Sequence, residues 1–300
     1  MTRHVLVIGA TGMAGAEVVR LLRPQDVGLR AAARNPAALR GTGVPGVDFD
    51  LRQPATFAPA LRGIESVFLA TPPAPDLAAA VAEFVDEAAR AGVEHVVSLT
   101  ELAVGLDGGL GMSPVERHIA ASPLDWTFLR AVPYMQSFTR GVIGEIIRRT
   151  GHLCLPAGDA RVAYIDARDV AAVAVAALMD PGHRAQEYVL TGAHAVDHAA
   201  IAAVLSRVAG RDILYVPTTY EALRDTLRGA GWSEPRIEAV VERFARMRAG
   251  HTALVSSTAA NLLHRLPVTF ERFARDHADA WAAAPPRQAP LPETRPLAAA

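Results

Sequence analysis

The chain contains no lysine: all 30 of its basic residues are arginines, spread over 300 residues. That excludes a Schiff-base enzyme, a phosphate loop built on lysine, and any catalytic tyrosine assisted by a lysine. The single cysteine, Cys154, cannot close an internal disulfide, and one thiol fits a reducing cytoplasm. Net charge is −1 and no basic block exists, which argues against nucleic acid as a partner. The longest apolar run, Val170–Met179, is about half a membrane span, and Val5–Ala10 is too short for a secretory signal. Neither a His/Cys cluster with metal-ligand spacing nor a Gly-x-Ser-x-Gly nucleophile elbow occurs, and there are no internal repeats. Hydrophobic residues nevertheless make up 51% of the chain, enough to bury a full core in one large domain or two unequal ones. The expectation is a cytoplasmic protein, monomer or homodimer, whose partner is a small molecule, with no membrane association and no metal.

What is present is concentrated at the N-terminus, His4-Val-Leu-Val-Ile-Gly9-Ala-Thr-Gly12-Met-Ala-Gly15-Ala-Glu-Val-Val-Arg-Leu-Leu22. A β-branched apolar run stops at a glycine, and glycines spaced G-x-x-G-x-x-G open a segment of helical apolar periodicity. Strand, tight turn and helix in this order present a helix N-terminus to a pyrophosphate. Gly9 allows the sharp turn, Gly12 lets phosphate oxygens approach the backbone, and Gly15 lets the helix pack tightly on the strand. Thr11 and Met13 complete the cofactor-binding turn.

Strand-like and helix-like segments then alternate to about residue 192. Gly28–Arg34, Val47–Leu51, Ser66–Ala70, His95–Thr100, Trp126–Arg130 and Glu187–Thr191 read as further strands, and Leu77–Ala91 as a helix. This pattern predicts an α/β fold, a Rossmann-type doubly wound parallel sheet, with a smaller, mostly helical substrate domain. Residues 1–134 plus 162–192 form the dinucleotide domain, residues 135–161 plus 193–283 the smaller one, and 284–300 a Pro-rich disordered tail. Helices are expected over Phe138–Thr150, Ala199–Val208, Tyr220–Leu227, Glu234–Arg248 and Phe270–Trp281, covering the carboxyl edge of the sheet and closing a substrate pocket. Ligands of such sheets bind outside the strands' carboxyl ends.

The second strand ends in Arg34 with no acid beside it, and Arg30 lies four residues earlier. An acid there would hold a ribose 2′-hydroxyl, whereas a guanidinium suits a 2′-phosphate. NADP(H) is therefore the expected cofactor, although a surface arginine is the alternative in so arginine-rich a chain. Asp50 and Leu51 would sit near the adenine, and Thr71 and Pro72 near the nicotinamide.

The stretches Val7-Ile-Gly-Ala-Thr-Gly-Met-Ala-Gly15, Asp125-Trp-Thr-Phe-Leu-Arg130, Leu155-Pro-Ala-Gly-Asp159, Tyr164-Ile-Asp-Ala-Arg-Asp169 and Phe270-Glu-Arg-Phe-Ala-Arg-Asp-His277 carry a resemblance from residue 4 to about 281. The chain resembles the NmrA-like group of atypical short-chain dehydrogenases/reductases, especially bacterial sequences grouped with the fungal ergot-alkaloid festuclavine and agroclavine dehydrogenases. The resemblance implies a Rossmann-type domain, a discontinuous substrate domain and NADP(H) at the glycine turn. It leaves the substrate open, and some members of the group are regulators.

Departures from the group's pattern bear on chemistry. The wider superfamily pairs tyrosine with lysine to deliver a proton, and this chain has no lysine for the pair. Glu116 offers a replacement acid, yet Ser113-x-x-Glu116 with Pro114 also reads as a helix-capping box. His118 reads as an ordinary half-exposed helix residue. Thr100-Glu101 ends the fifth strand, where Glu101 would anchor a cationic amine, act as an acid, or remain a solvated loop residue, and where Thr100 would reach the cofactor. Tyr134 puts a phenol where the group usually has phenylalanine; it either supplies a proton or packs under the small domain. Asp169 reads as a helix N-cap, and Trp232, Phe244 and Met247 as either core or pocket lining.

A ketone acceptor needs a proton as well as a hydride; an iminium needs only the hydride in a shielded pocket. The expected activity is thus an NADPH-dependent reductase acting on an imine, iminium, quinone or conjugated acceptor, of the kind found in secondary metabolism. The alternatives are a non-catalytic NADP(H)-sensing regulator and a non-redox isomerase or cyclase that keeps the cofactor as a scaffold.

Overall fold

The structure, a computed structural model, describes residues 3–71, 77–102 and 112–281. In chain order the elements are β1 (Arg3–Ile8), α1 (Met13–Leu22), β2 (Val27–Ala33), β3 (Gly46–Asp48), α2 (Phe57–Leu61), β4 (Ser66–Ala70), α3 (Ala78–Arg90), β5 (His95–Glu101), α4 (Pro114–Ala121), β6 (Asp125–Ala131), α5 (Gly141–Thr150), β7 (His152–Leu155), β8 (Arg161–Val162), α6 (Ala167–Met179), β9 (Gln186–Leu190), β10 (Val196–Asp197), α7 (His198–Ala209), β11 (Leu214–Pro217), α8 (Tyr220–Gly229), α9 (Glu234–Arg248), α10 (Thr258–Leu263) and α11 (Phe270–Asp276).

The chain divides into two compact units. The first comprises Met1–Val132, Ile165–Ala193 and Ser256–Pro267, and holds a seven-stranded sheet in the order β3-β2-β1-β4-β5-β6-β9. Every neighbouring pair is parallel. The strand order reverses between β1 and β4, so the crevice outside their carboxyl ends is the ligand position of a doubly wound sheet. All seven strands expected from the sequence are in it. The apolar runs of the central strands are buried on both faces, as a parallel sheet covered by helices requires: Val5, Leu6 and Val7 of β1 and Val96 and Val97 of β5 are all at 0% exposure. Helix α3 buries Val81, Phe84, Val85 and Ala88, one stripe at helical spacing. Phe84 meets Phe49 and Phe57 edge-on at 5.3 and 5.4 Å.

The second unit comprises Pro133–Tyr164, His194–Val255 and Val268 onward. It is mostly helical, with two small sheets that the periodicity did not suggest, β7 with β11 in parallel and β8 with β10 antiparallel. Its core gathers Phe138, Tyr164, Phe244, Met247, Phe270, Phe273 and Trp281, and the Trp281 indole donates to the Phe138 carbonyl at 2.9 Å. Phe244 and Met247 are therefore core residues, while Trp232 packs on Leu227, Ile237 and Val241 beneath the Arg236 guanidinium.

Several boundaries differ from expectation. Residues 256–267, expected in the smaller domain, belong to the first unit, where Ser256 N donates to Thr191 Oγ1 at 2.9 Å and Arg265 pairs with Asp169 at 2.7 Å. Helix α6 starts at Ala167, and its cap is Asp166, which accepts from Arg168 N; Asp169, expected as the cap, lies fully buried in the first turn. Strand β3 ends at Asp48, before Asp50 and Leu51. The tail 284–300 and Pro72 lie outside the described residues.

Candidate active site at the carboxyl edge of the sheet

The glycine turn closes on itself. Gly9 adopts a left-handed φ of +78° and Gly12 N donates to Gly9 O at 2.8 Å. A β-carbon at Gly15 would stand 2.1 Å from Gly9 O, and one at Gly9 2.7 Å from Ala70 O. Gly15 is thus required by the turn's own peptide rather than by the strand below it, and Gly9 by the end of β4 across the crevice. Gly12 caps α1 in an extended conformation, with no side-chain cap and no acid in the first turn. The leading N–H groups of a helix have no intrahelical acceptor, and the dipole adds positive potential, so an uncapped start of this kind is a seat for phosphate. Thr11 and Gly12 are exposed there and Met13 is half-buried.

The two arginines of the second strand have different fates. Arg30 folds back and donates to Ala60 O and Arg62 O at 2.8 and 2.9 Å, so its guanidinium is committed. Arg34, immediately past β2, is exposed and bonds to no side chain or backbone group among the described residues. Asp50 turns its Oδ1 back to Arg52 N at 3.0 Å. Leu51, 8% exposed, puts its side chain into the core cluster, which leaves only its backbone to a ligand. Thr71 follows β4, half-buried.

Strands β5 and β6 place Thr100 opposite Arg130 and Glu101 opposite Ala131. Thr100 is half-buried and donates from Oγ1 to Glu116 Oε1 at 2.9 Å. Glu116, 2% exposed, also accepts from Arg130 Nε at 2.9 Å and Nη2 at 3.4 Å. Its Oε2 accepts from Ser113 N at 2.8 Å while Ser113 Oγ accepts from Glu116 N at 3.2 Å, which completes the capping box. Both oxygens of Glu116 are occupied and neither faces open space, so the geometry supports capping and clamping, not the acid role considered for it. Arg130, 3% exposed, completes the cluster through Nη1 to Glu187 Oε2 at 2.9 Å. In the sequence the signal for this cluster is the charge inside the buried strand Trp126-Thr-Phe-Leu-Arg130, because such a charge needs a carboxylate partner. Glu101 ends β5, half-buried. His118 pairs with Asp86 at 2.8 Å on the surface.

Tyr134 belongs to the second unit, half-buried at the start of the turn Met135–Phe138. Burial pushes the hydroxyls of Tyr164 and Tyr188 up from the ordinary phenol value, and that of Tyr215 up to about 12. A tyrosine primed by a cation would move the other way. Among the described residues no group of His, Cys, Asp and Glu could hold a metal ion, and no helix is long and apolar enough to cross a membrane.

Comparison with known proteins finds two family matches, an NAD(P)H-binding family over residues 9–181 and the NmrA-like family over residues 111–274. The NAD(P)H azoreductase of Xenophilus azovorans is 37% identical over 287 residues, covering 93% of this chain and 100% of the relative. The (4-alkanoyl-5-oxo-2,5-dihydrofuran-3-yl)methyl phosphate reductase of Streptomyces griseus is also 37% identical, covering 93% and 99%. Among solved structures, Citrobacter triphenylmethane reductase in complex with NADP(H) superposes with a TM-score of 0.74 at 23% identity, covering 92% of this chain and 99% of that one.

Proposed function

We propose that this chain, which belongs to the NAD(P)H-binding, NmrA-like family and is an NAD(P)H-dependent oxidoreductase, is an NADPH-dependent reductase of small conjugated or iminium-type acceptors that works without a tyrosine–lysine pair. The observation that carries this reading is an intact dinucleotide cradle in a chain that has no lysine. The residues fit the cofactor: a β-carbon at Gly9 or Gly15 would fill the turn, the start of α1 is uncapped, and Arg34 is uncommitted. Gly9, Thr11, Gly12, Met13 and Gly15 would hold the pyrophosphate and Arg34 a 2′-phosphate, with Asp50 and the Leu51 backbone toward the adenine and Thr71 and Thr100 toward the nicotinamide. When bound, the reduced cofactor supplies a hydride.

The protein's own part is to orient the acceptor and exclude water. Azo, quinone, iminium and other conjugated acceptors can take their proton from solvent, so they do not require a built proton donor. Glu101, at the carboxyl end of β5, is the candidate for contact with the acceptor. That the two similar relatives are named for reduction of azo and of dihydrofuranone compounds supports this acceptor class.

The test is loss of NADPH absorbance with a panel of azo dyes, quinones, cyclic imines and simple ketones. Turnover is expected with at least one of the first three classes and not with ketones. Tight NADPH binding with no turnover on any member would overturn the reading in favour of a sensor.

A further inference from the structure

A hydroxyl has one hydrogen to give and lone pairs to offer. The hydrogen of Thr100 is committed, because Oγ1 donates at 2.9 Å to Glu116 Oε1. That acceptor is fixed in turn: Glu116 is 2% exposed and held by Arg130 through Nε and Nη2 and by the backbone of Ser113. Arg130 is itself tied to Glu187. A carboxylate engaged by a guanidinium and a backbone N–H has nothing to donate, so the Thr100 hydroxyl cannot rotate without abandoning a partially buried charge-assisted bond. Thr100 is nevertheless only half-buried, and it stands at the carboxyl end of β5, the side of the sheet on which ligands bind.

We infer that Thr100 is a specificity-determining acceptor: it presents lone pairs to the substrate, so the site selects acceptor molecules that carry an O–H or N–H donor. Glu116 and Arg130 are positioning residues that fix this polarity. The inference rests on the reductase reading for its choice of ligands. It also separates this site from one that polarises a carbonyl, where a hydroxyl must point its hydrogen at the substrate oxygen. With the hydrogen turned inward, Thr100 gives a developing oxyanion no help, which agrees with acceptors that need none.

The experiment titrates the full chain, saturated with NADP⁺, with para-hydroxyazobenzene and its para-methoxy analogue by calorimetry. The hydroxy compound is expected to bind about fivefold more tightly, the effect of one neutral hydrogen bond. Thr100→Val should bring the ratio to about one, and Thr100→Ser should restore it. A purely structural Thr100 would shift both ligands together and leave their ratio alone. Equal affinities in the unaltered protein, no binding of either compound, or a ratio that survives Thr100→Val would each overturn the inference. Failure of the reductase reading shows differently, as an intact affinity ratio with no NADPH consumption.

Discussion

The two edges of the main sheet treat their polar groups in opposite ways. At the amino edge the buried polar side chains interlock: His95 Nε2 meets Thr127 Oγ1 at 2.9 Å, Thr127 donates to His183 O at 2.7 Å, and Arg184 bridges Asp125 and Glu94 at 2.8 and 3.6 Å, with its Nε left without a partner among the described residues. At the carboxyl edge the half around β5 and β6 is tied through Glu116 and Arg130, while the half around β1 and β2 leaves the start of α1 uncapped and Arg34 uncommitted. Buried polar groups in folded proteins find partners almost without exception. Thr11, Gly12 and Arg34 are exposed, so the donors left open around β1 and β2 are met by solvent and carry no penalty for lacking a protein partner, which leaves them available to a ligand.

The tied half of the carboxyl edge is the place to break this contrast most severely. Glu116→Ala leaves Arg130 in a buried position with only the partly exposed Glu187 as counter-charge. Removing one member of a buried pair costs about 3–5 kcal/mol. It should appear as a large fall in the urea midpoint at neutral pH. The double replacement of Glu116 and Arg130 by leucine and methionine should recover much of that loss, since apolar residues of similar volume need no partners. A single variant as stable as the original chain would show that the cluster does not hold the two strands and α4 together.

Legibility in the sequence followed the same division. Apolar runs such as Val5–Ile8 and Ser66–Ala70 and the stripe Val81, Phe84, Val85, Ala88 announce strands and a helix because burial imposes the period. The glycine turn was legible because a β-carbon at Gly15 is sterically forbidden there. Harder to read was anything decided by a partner distant in sequence. Asp166 and Asp169 both stand at the start of α6; the structure makes Asp166 the cap, accepting from Arg168 N, and pairs Asp169 with Arg265, which returns from residues 256–267 and is announced by no local spacing. Glu116 shows both outcomes: its local spacing gave the capping box, while its bonds to Thr100 and Arg130 depend on strand register. The β7–β11 pairing joins short segments some sixty residues apart, too brief for any periodicity.

Acid separates the closed edge from the open one. Burial, aided by Arg184, lowers His95 from 6.5 to about 4, and burial lowers His198 of the second unit likewise to about 4. The unfolded chain takes up these protons as pH falls through 6.5, while the native rings resist until about 4. The stability linked to neutral rings is therefore complete above 6.5 and is lost between 6.5 and 4, at most about 3 kcal/mol for each ring. Urea midpoints measured at about pH 7 and about pH 4.5 should converge for His95→Gln relative to the parent chain, because one proton fewer separates the two states. An unchanged difference would mean that His95 is already protonated in the native fold, and the amino edge would then not be neutral and closed.

The finest test sets two arginines of one strand against each other. Arg34→Ala removes the uncommitted guanidinium and should weaken NADPH by about 10- to 100-fold, the range of a lost charge-assisted bond, while NADH affinity stays within about twofold. Arg30→Met removes a guanidinium already bonded to Ala60 O and Arg62 O. Its methionine keeps most of the aliphatic stem, so about 1 kcal/mol of stability is lost with no change in the preference between the two cofactors. Titration of each variant by the quenching of nicotinamide fluorescence gives both affinities in one experiment. If the Arg30 variant instead abolishes the preference, the 2′-phosphate binds farther back along β2 and the carbonyls at the end of α2 merely hold Arg30 until the cofactor arrives. If neither variant changes it, the open edge selects for the pyrophosphate alone and is indifferent to the ribose substituent.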